Sequence, residues 1–162
     1  MSIAAVVALG SSLGRRRDNL RTAVRSLEPL LRVVRVSSVW ESEPVDAPAG
    51  SPPFLNMVVA GWTTESPERL LEGMHAIEAA MGRRRRVRNE PRVLDLDLIL
   101  YGGFTLRRDG IEVPHPRYRQ RNFVVGPLQE LGLNWVDPAT GVPIRWLQGS
   151  GVIAQPRPLF AS

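Results

Sequence analysis

The sequence contains no cysteine, which excludes disulfide bonds, zinc sites built from thiolates and cysteine nucleophiles. It also contains no lysine, so all 21 basic residues are arginines. A P-loop phosphotransferase requires a lysine at the end of its glycine-rich loop, and Schiff-base catalysis requires a lysine amine. Both of these enzyme classes are therefore excluded.

Long apolar runs are also absent, and no stretch approaches the length of a membrane-spanning helix. Residues 3–9 are apolar, but no basic residue precedes them, so they are interpreted as a first strand and not as a signal peptide. We therefore expect a cytoplasmic protein without a membrane partner. A chain of 162 residues can bury a substantial core, so residues 1–162 are expected to form a single domain.

Positive charge is in excess, with a formal net charge of +5, which favours an anionic partner such as a nucleotide or a nucleic acid. The charge is concentrated between Gly82 and Gly103, where six arginines accompany two aspartates. Arginine suits phosphate binding because its planar fork forms bidentate bonds with phosphate oxygens. A magnesium-phosphate site and a nucleic-acid-binding strip from Arg83 to Arg88 both remain open at this point.

The second half of this stretch alternates with period two, which is typical of a half-buried strand. Asp95 and Asp97 fall on one face, and the opposite face is predicted to carry Leu94, Leu96, Leu98 and Leu100. Side chains two residues apart in a strand lie about 6.5–7 Å apart, so the carboxylates repel by about 2 kcal/mol at an effective dielectric of about 20. A lone pair of this kind more often faces solvent. Beside so many arginines, we favour a divalent cation such as Mg²⁺, shared with substrate phosphates.

Hydrophobic periodicity predicts further strands at residues 3–9, 33–43 and 54–64. One helix is expected after a glycine-rich turn at residues 10–14, and a second after Ser66-Pro67. A hairpin around Asp109-Gly110 and a short helix after Phe123 follow. The order βα-ββ-αβ, with mostly antiparallel neighbours, predicts the α+β class and a ferredoxin-like α/β sandwich.

The glycine-rich turn at residues 10–14 allows two interpretations. Its backbone N–H groups could bind an anion. A turn of this kind is more often only a tight connection between a strand and a helix, and we favour that interpretation.

Seven segments follow one another in a characteristic order over most of residues 5–130: A-L-G-S-S-L-G at 8–14, S-S-V-W-E-S-E-P-V at 37–45, P-F-L-N at 53–56, I-E-A-A-M-G-R-R-R at 77–85, P-R-V-L-D-L-D-L-I-L-Y-G at 91–102, V-P-H-P-R at 113–117 and R-N-F-V-V-G-P-L at 121–128. In this order they resemble the 6-hydroxymethyl-7,8-dihydropterin pyrophosphokinase family of folate biosynthesis. The resemblance implies transfer of a pyrophosphoryl group from ATP to the hydroxymethyl group of the pterin, with release of AMP. It implies no partner besides these two small molecules, and we expect a monomer.

The resemblance also implies site residues on the nucleotide side. Two Mg²⁺ ions would be held by Asp95 and Asp97, and Arg83 and Arg92 would complete the catalytic assembly. The implied ATP contacts are His75, Glu78, Arg85, Arg92, Leu98, His115 and Arg121.

Pterin is a flat, polar bicycle, which is best held between aromatic faces with amide groups along its edge. The resemblance implies a pocket formed by Ser42, Glu43, Val45, Phe54, Asn56, Asp95 and Phe123. Taken alone, the two phenylalanines would more often be ordinary core residues.

The sequence departs from the family pattern at two points. Many members carry a tryptophan and a glycine before the P-R-x-L-D-L-D segment, whereas this chain has Arg88-Asn89-Glu90-Pro91-Arg92. His75 stands where some relatives have glutamine. The alternative function is a nucleic-acid-binding module that uses the strip from Arg83 to Arg88, although no aromatic residue interleaves that strip.

Overall fold

A computed structural model describes residues 1–43, 49–82 and 91–150 of the chain. In chain order its strands are β1 (Ile3–Ser11), β2 (Arg32–Val36), β3 (Trp40–Ser42), β4 (Phe54–Thr63), β5 (Asp95–Tyr101), β6 (Leu106–Arg108) and β7 (Ile111–Val113). Its α-helices are α1 (Arg16–Leu27), α2 (Pro67–Ala80) and α3 (Asn122–Glu130). Short 3-10 turns lie at Tyr118–Gln120 and Ile144–Trp146.

Five of the described strands form one sheet, in the order β2-β4-β1-β5, with β3 also paired to β4. All of these pairings are antiparallel. Apart from the short β3, the chain order βαββαβ and this strand order are those of a ferredoxin-like sandwich. The predicted fold class is confirmed.

Two apolar cores cover the two faces of the sheet. On one face α1 and α2 contribute residues such as Leu20 and Met74 to the larger core. On the other face α3 packs Val124 and Leu128 against Val58 of β4. The helix α3 therefore covers only part of a face that also carries polar side chains, described below.

The predicted helix boundary at Ser66-Pro67 is confirmed. The Ser66 hydroxyl accepts the backbone N–H of Arg69 at 3.2 Å, and Pro67 is the first residue of α2. Gly82, just beyond the end of α2, has a φ of 97°, which favours glycine at a helix end. Across the described ranges, no helix is long and apolar enough to cross a membrane.

The predicted hairpin is also confirmed, because β6 and β7 pair across Asp109-Gly110. The two turn residues have φ values of 40° and 79°, as a turn with two left-handed residues requires.

The prediction of one strand over residues 33–43 is wrong, since the structure divides it into β2 and β3. At Ser37, between the two strands, the backbone N–H donates to the Val58 carbonyl at 3.0 Å, and the hydroxyl accepts the Val58 N–H at 2.9 Å. The Ser37 hydroxyl thus replaces the backbone carbonyl that would accept the Val58 N–H in a regular β-ladder, and the strand is interrupted there.

The prediction that four leucines share one face of β5 is wrong for Leu100. Val7 of β1 pairs with Leu98 and Val6 pairs with Leu100, so Ile99 is an extra residue in β5. Such a bulge reverses the faces of the residues that follow it. Leu98 faces α1 and α2, whereas Leu100 belongs to the core under α3.

Candidate active site

One row of paired residues brings the two halves of the predicted site together. Trp40 of β3 pairs with Asn56 of β4, Asn56 pairs with Gly10 of β1, and Gly10 pairs with Asp95 of β5. Directly paired residues project from the same face of a sheet. A Cβ at Gly10 would lie 3.5 Å from the Phe54 ring and 3.6 Å from Asn56 Oδ1. Glycine therefore leaves the floor between Asn56 and Asp95 open.

The neighbouring row adds the second carboxylate. Asp97 pairs with Ala8, which pairs with Val58 of the core under α3. Asp95 and Asp97 therefore project from the α3 face of the sheet, as the period-two pattern predicts. Small residues of β1, Gly10 and Ala8, lie beside both carboxylates, so β1 adds at most a methyl group to this part of the sheet.

The pKa of Asp97 is raised to about 6, first because the side chain is buried and second because Asp95 is negatively charged. Arg121 and Arg92 oppose this rise, and the charge of Glu78 adds to it. The Arg92 guanidinium Nη1 lies 3.0 Å from Asp95 Oδ1. The free protein thus resists full ionisation of the pair, and a bound cation would relieve that resistance.

The donor set of this pair fits magnesium, because carboxylate oxygens are its preferred protein ligands. In the described ranges, no group of three or more histidine, cysteine, aspartate or glutamate side chains could hold a metal ion, and this site offers only its two carboxylates. An ion at Asp95 and Asp97 would therefore complete its coordination with phosphate oxygens and water, as magnesium in nucleotide sites does.

The glycine-rich turn does not offer its N–H groups to an anion at two of its positions. The backbone N–H groups of Ser12 and Leu13 donate to the Arg92 carbonyl at 2.8 and 3.0 Å. The turn is a strand-to-helix connection, as favoured from the sequence, and it also holds the residue that precedes the aspartate strand.

His115 is held beside β5 in its neutral form. Its backbone N–H donates to the Ile99 carbonyl at 2.9 Å, and its Nδ1 accepts the Arg117 N–H at 3.1 Å. Burial, together with the charges of Arg121 and Arg117, lowers the pKa of His115 to about 4. The proton therefore resides on Nε2, which makes the ring an uncharged hydrogen-bond donor.

Arg121 and Phe123 lie at the start of α3. The Arg121 guanidinium carbon is 5.6 Å from the centre of the half-buried Phe123 ring. Its charge also opposes the raised pKa of Asp97. The start of α3 thus combines the aromatic ring of Phe123 with the positive charge of Arg121, which acts on Asp97.

Asn56 is oriented by its neighbours on β3. Its amide nitrogen donates to Ser42 Oγ at 2.7 Å and to the Trp40 carbonyl at 3.1 Å. Both amide protons have acceptors, so the ligand-binding capacity of the side chain lies in Oδ1, an acceptor. Phe54, next to it, is half-buried. This arrangement suits a flat heterocycle with N–H groups along one edge.

Glu78 has a structural contact that the sequence did not predict. Its side chain is 3% exposed, and Oε2 accepts the backbone N–H of Leu96 in β5 at 2.9 Å. This bond supports the strand that carries both aspartates. A contact between Glu78 and ATP stays a prediction.

The remaining predicted residues are dispersed. Leu98 packs its side chain into the core on the helix side, so any contact with adenine would be made by its backbone. His75 and Glu43 are exposed. Three predicted residues lie outside the described part of the chain: Val45, Arg83 and Arg85.

A clamp between β3 and α3 was missed by the sequence reasoning. Glu130 accepts hydrogen bonds from Trp40 Nε1 at 2.9 Å and from the Ser38 N–H at 2.7 Å. A Cβ at Gly126 would lie 2.7 Å from the Trp40 ring, so the indole packs directly on the α3 backbone. A glycine inside a predicted helix was the one signal for such close packing.

The family model described as 7,8-dihydro-6-hydroxymethylpterin-pyrophosphokinase (HPPK) matches residues 6–132. The chain belongs to this family. It is 39% identical over 161 residues to the 2-amino-4-hydroxy-6-hydroxymethyldihydropteridine pyrophosphokinase of Bacillus subtilis, which covers 94% of this chain and 95% of the relative. The Pseudomonas aeruginosa protein of that name is 41% identical over 77% of this chain and 78% of its own length. The predicted family is confirmed.

The chain also matches parts of longer proteins. The chain is 40% identical to the mitochondrial folate synthesis bifunctional protein of Arabidopsis thaliana over 83% of its own length, but it spans only 24% of that relative. A crystal structure of Plasmodium falciparum HPPK-DHPS matches 90% of this chain and 43% of that chain, with a TM-score of 0.73 and 15% identity. At that identity the match supports the HPPK fold alone.

Proposed function

We propose that the α3 face of β4, β1 and β5 performs the HPPK reaction, the transfer of pyrophosphate from ATP to 6-hydroxymethyl-7,8-dihydropterin. The row of Asn56, Gly10 and Asp95 is the observation that carries this proposal. It sets an amide suited to a pterin edge beside a carboxylate suited to metal-bound phosphate. Family membership supports the reaction, and the row supports our choice of this part of the sheet as its site.

On the pterin side, Asn56 Oδ1 accepts N–H groups of the pterin edge while Ser42 and Trp40 hold its amide protons. Phe54 and Phe123 supply the aromatic faces between which a flat ring stacks. Glu43 and Val45 contribute to the loop that closes this side of the pocket. The glycine at position 10 adds no side chain of its own between this pocket and Asp95.

On the nucleotide side, Asp95 and Asp97 would hold the Mg²⁺ ions, of which we propose two. When bound, the ions supply positive charge to the phosphates of ATP. Arg92 and Arg121 bind phosphate oxygens. The uncharged ring of His115 donates a hydrogen bond to them from Nε2. Arg83, Arg85, His75 and Glu78 complete the ATP contacts proposed from the family.

Release of AMP fixes which bond breaks. The pterin hydroxyl oxygen bonds to the β-phosphorus of ATP, and the bond from that phosphorus to the oxygen bridging the α and β phosphates breaks. The hydroxyl proton passes to solvent, and AMP keeps the bridging oxygen. The protein contributes position and charge stabilisation, which are the main requirements of phosphoryl-type transfer.

The direct test incubates the protein with ATP, magnesium and the pterin alcohol and separates the nucleotide products. We expect AMP in amounts equal to the pterin diphosphate, with no ADP. The Asp97→Asn protein is the control and should form neither product, because it has lost a charged magnesium ligand of nearly the same volume. Formation of ADP by the unaltered protein would contradict the proposal.

A monomeric state and a cytoplasmic location are further parts of the proposal, as is the number of Mg²⁺ ions. Light scattering at assay concentration tests the first, and magnesium titration with a nonhydrolysable ATP analogue tests the last. The strip from Arg83 to Arg88, on which the nucleic-acid alternative depends, lies outside the described residues. Because the family match supports the pyrophosphokinase and no finding supports the nucleic-acid alternative, we propose only the pyrophosphokinase function.

A further inference from the structure

The turn between β1 and α1, residues 12–15, is bonded to Arg92 although 80 positions separate the two in sequence. The Ser12 hydroxyl accepts the Arg92 N–H at 2.9 Å, and the N–H groups of Ser12 and Leu13 donate to the Arg92 carbonyl at 2.8 and 3.0 Å. Ser12 is only 3% exposed. Both backbone polar groups of Arg92 are therefore bound to the turn.

Asn19, from the first turns of α1, braces the same junction. Its amide nitrogen donates to Ser11 Oγ at 3.1 Å, to the Leu13 carbonyl at 2.9 Å and to the Val93 carbonyl at 3.4 Å. One side chain thus connects the end of β1, the turn and the residue after Arg92. These bonds fix the turn to the segment that leads into β5.

The position of Arg92 matters because its guanidinium stands next to the carboxylate pair. Nη1 lies 3.0 Å from Asp95 Oδ1, and the side chain is 16% exposed. Within the described residues, Nε is buried without a hydrogen-bond partner. A long side chain of this kind has many rotamers, so a fixed backbone is needed to hold its planar fork at one point.

We propose that Ser12 and Asn19 are positioning residues that set the Arg92 guanidinium for its contact with the transferred phosphates. They touch no substrate themselves and act through the backbone of Arg92 and Val93. This inference rests on the proposed role of Arg92 in the reaction. It assigns the A-L-G-S-S-L-G segment a part in catalysis that differs from anion binding, because the N–H groups of Ser12 and Leu13 are already bound to Arg92.

The first test replaces the hydroxyl. Ser12→Ala should lower kcat about tenfold, since a misplacement of about 1 Å can slow an enzyme by about 100-fold. The KM for the pterin should stay within about twofold, because Asn56 and Phe123 are not bonded to this turn. Ser12→Thr keeps the oxygen and should restore most of kcat. The matched control is Ser26→Ala, whose hydroxyl donates to the Thr22 carbonyl on α1 and whose loss should leave kcat unchanged.

The deciding test is a double-mutant cycle with Arg92→Ala. If Ser12 acts through Arg92, adding Ser12→Ala to Arg92→Ala should change kcat by less than about twofold. A second full loss in that background would overturn the proposal, because the serine would then act independently of the arginine. If Ser12→Ala fails to fold in thermal denaturation, Asn19→Ala is carried through the same cycle with the same two outcomes.

The same cycle is repeated on the binding of a nonhydrolysable ATP analogue with magnesium, measured by calorimetry. Ser12→Ala as a single substitution should weaken the binding of this analogue. In a protein that already carries Arg92→Ala, it should have almost no further effect. Failure of the unaltered protein to make AMP would overturn the proposed function, whereas additive losses in the binding cycle would overturn the positioning role. The two failures are therefore distinguishable.

Discussion

At the scale of single residues, Asp97 links the site to the stability of the fold. Its pKa is raised to about 6 in the folded protein, against about 3.9 in an unfolded chain. The folded state therefore holds this proton more tightly, so the free energy of unfolding falls as the pH rises from about 4 to about 6. Asp97→Asn removes the penalty and should stabilise the magnesium-free protein by about 1–2 kcal/mol at neutral pH.

Denaturant unfolding of both proteins without magnesium, at about pH 4 and about pH 7.5, measures this difference. The gain of Asp97→Asn should be present at the higher pH and nearly absent at the lower one. Asp18→Asn is the matched control, because the Asp18 side chain is 57% exposed and pairs with Arg21 on the surface. A gain of equal size at both pH values would show that ionisation of Asp97 is not its cause.

The orientation of Asn56 gives a second prediction at this scale. Ser42→Ala leaves a buried amide proton of Asn56 without its acceptor at 2.7 Å. Since one net hydrogen bond contributes about 1 kcal/mol, we expect pterin affinity to fall about fivefold in Ser42→Ala. Asn56→Ala should weaken it by at least as much, and nucleotide affinity should change little in either variant. Calorimetric titrations with each ligand measure these affinities, and Ser26→Ala is the control. Equal losses of pterin and nucleotide affinity would mean that we have assigned the pterin pocket to the wrong residues.

At the scale of elements, β5 depends on a contact from α2. Glu78 accepts the Leu96 N–H at 2.9 Å in a buried position. Glu78→Ala leaves that N–H without the acceptor and should lower the free energy of unfolding by about 1–3 kcal/mol. Glu78→Gln keeps a carbonyl oxygen for the bond and should cost less than about 1 kcal/mol.

The same pair of variants separates the bond from the charge. The charge of Glu78 contributes to the raised pKa of Asp97, so Glu78→Gln should lower the pKa of Asp97 although the strand keeps its support. NMR titration of the Asp97 carboxyl carbon provides the measurement. If the pKa of Asp97 is unchanged in Glu78→Gln, the charge of Glu78 does not act on Asp97 and the prediction is wrong.

Local chemistry explains which elements the sequence predicts well. Ser66 and Pro67 begin α2 by their own bonds and dihedral angles, and period two places Asp95 and Asp97 on one face. The misses depend on the partner strand or on distant contacts. The bulge at Ile99 is defined only against β1. The bonds from Ser12 to Arg92 and from Glu78 to Leu96 join distant parts of the chain, and no local pattern contains them.

At the scale of the whole molecule, the two faces of the sheet have different tasks. The face under α1 and α2 is filled mainly by apolar side chains. The other face is apolar beneath α3. It is polar where Asp95 of β5 and Asn56 of β4 lie on either side of Gly10 in β1. The β1–α1 turn and α2 reach across from the helix side to hold Arg92 and β5. The candidate site is therefore held in place by the half of the fold that has the larger core.

The polar face is also braced beyond α3, by a second buried carboxylate that acts on stability in the opposite direction to Asp97. Asp137 is fully buried and accepts hydrogen bonds from the Tyr118 hydroxyl, the Arg119 guanidinium and the N–H groups of Ala139 and Thr140. Burial alone would raise its pKa, but the bonds from Arg119, Tyr118 and the two backbone groups outweigh burial and lower it. These bonds fix the segment between His115 and Arg121 to the carboxy-terminal part of the described chain.

Because the folded pKa of Asp137 is lowered, its stabilisation is present above the unfolded value of about 3.9 and is lost as the pH falls through the folded value. Asp137→Asn should lower the free energy of unfolding by about 2–4 kcal/mol at neutral pH, since it breaks a buried ion pair with Arg119. The difference should shrink at about pH 3, below the unfolded value of about 3.9, because the unfolded wild-type chain binds a proton there more readily than the folded protein does. Unfolding in denaturant at both pH values checks this, with Tyr118→Phe as the variant that removes a single donor and should lose less. A loss of stability of the same size at both pH values would contradict a role for the charge of Asp137. Asp97→Asn, measured alongside at neutral pH, should change the free energy of unfolding with the opposite sign.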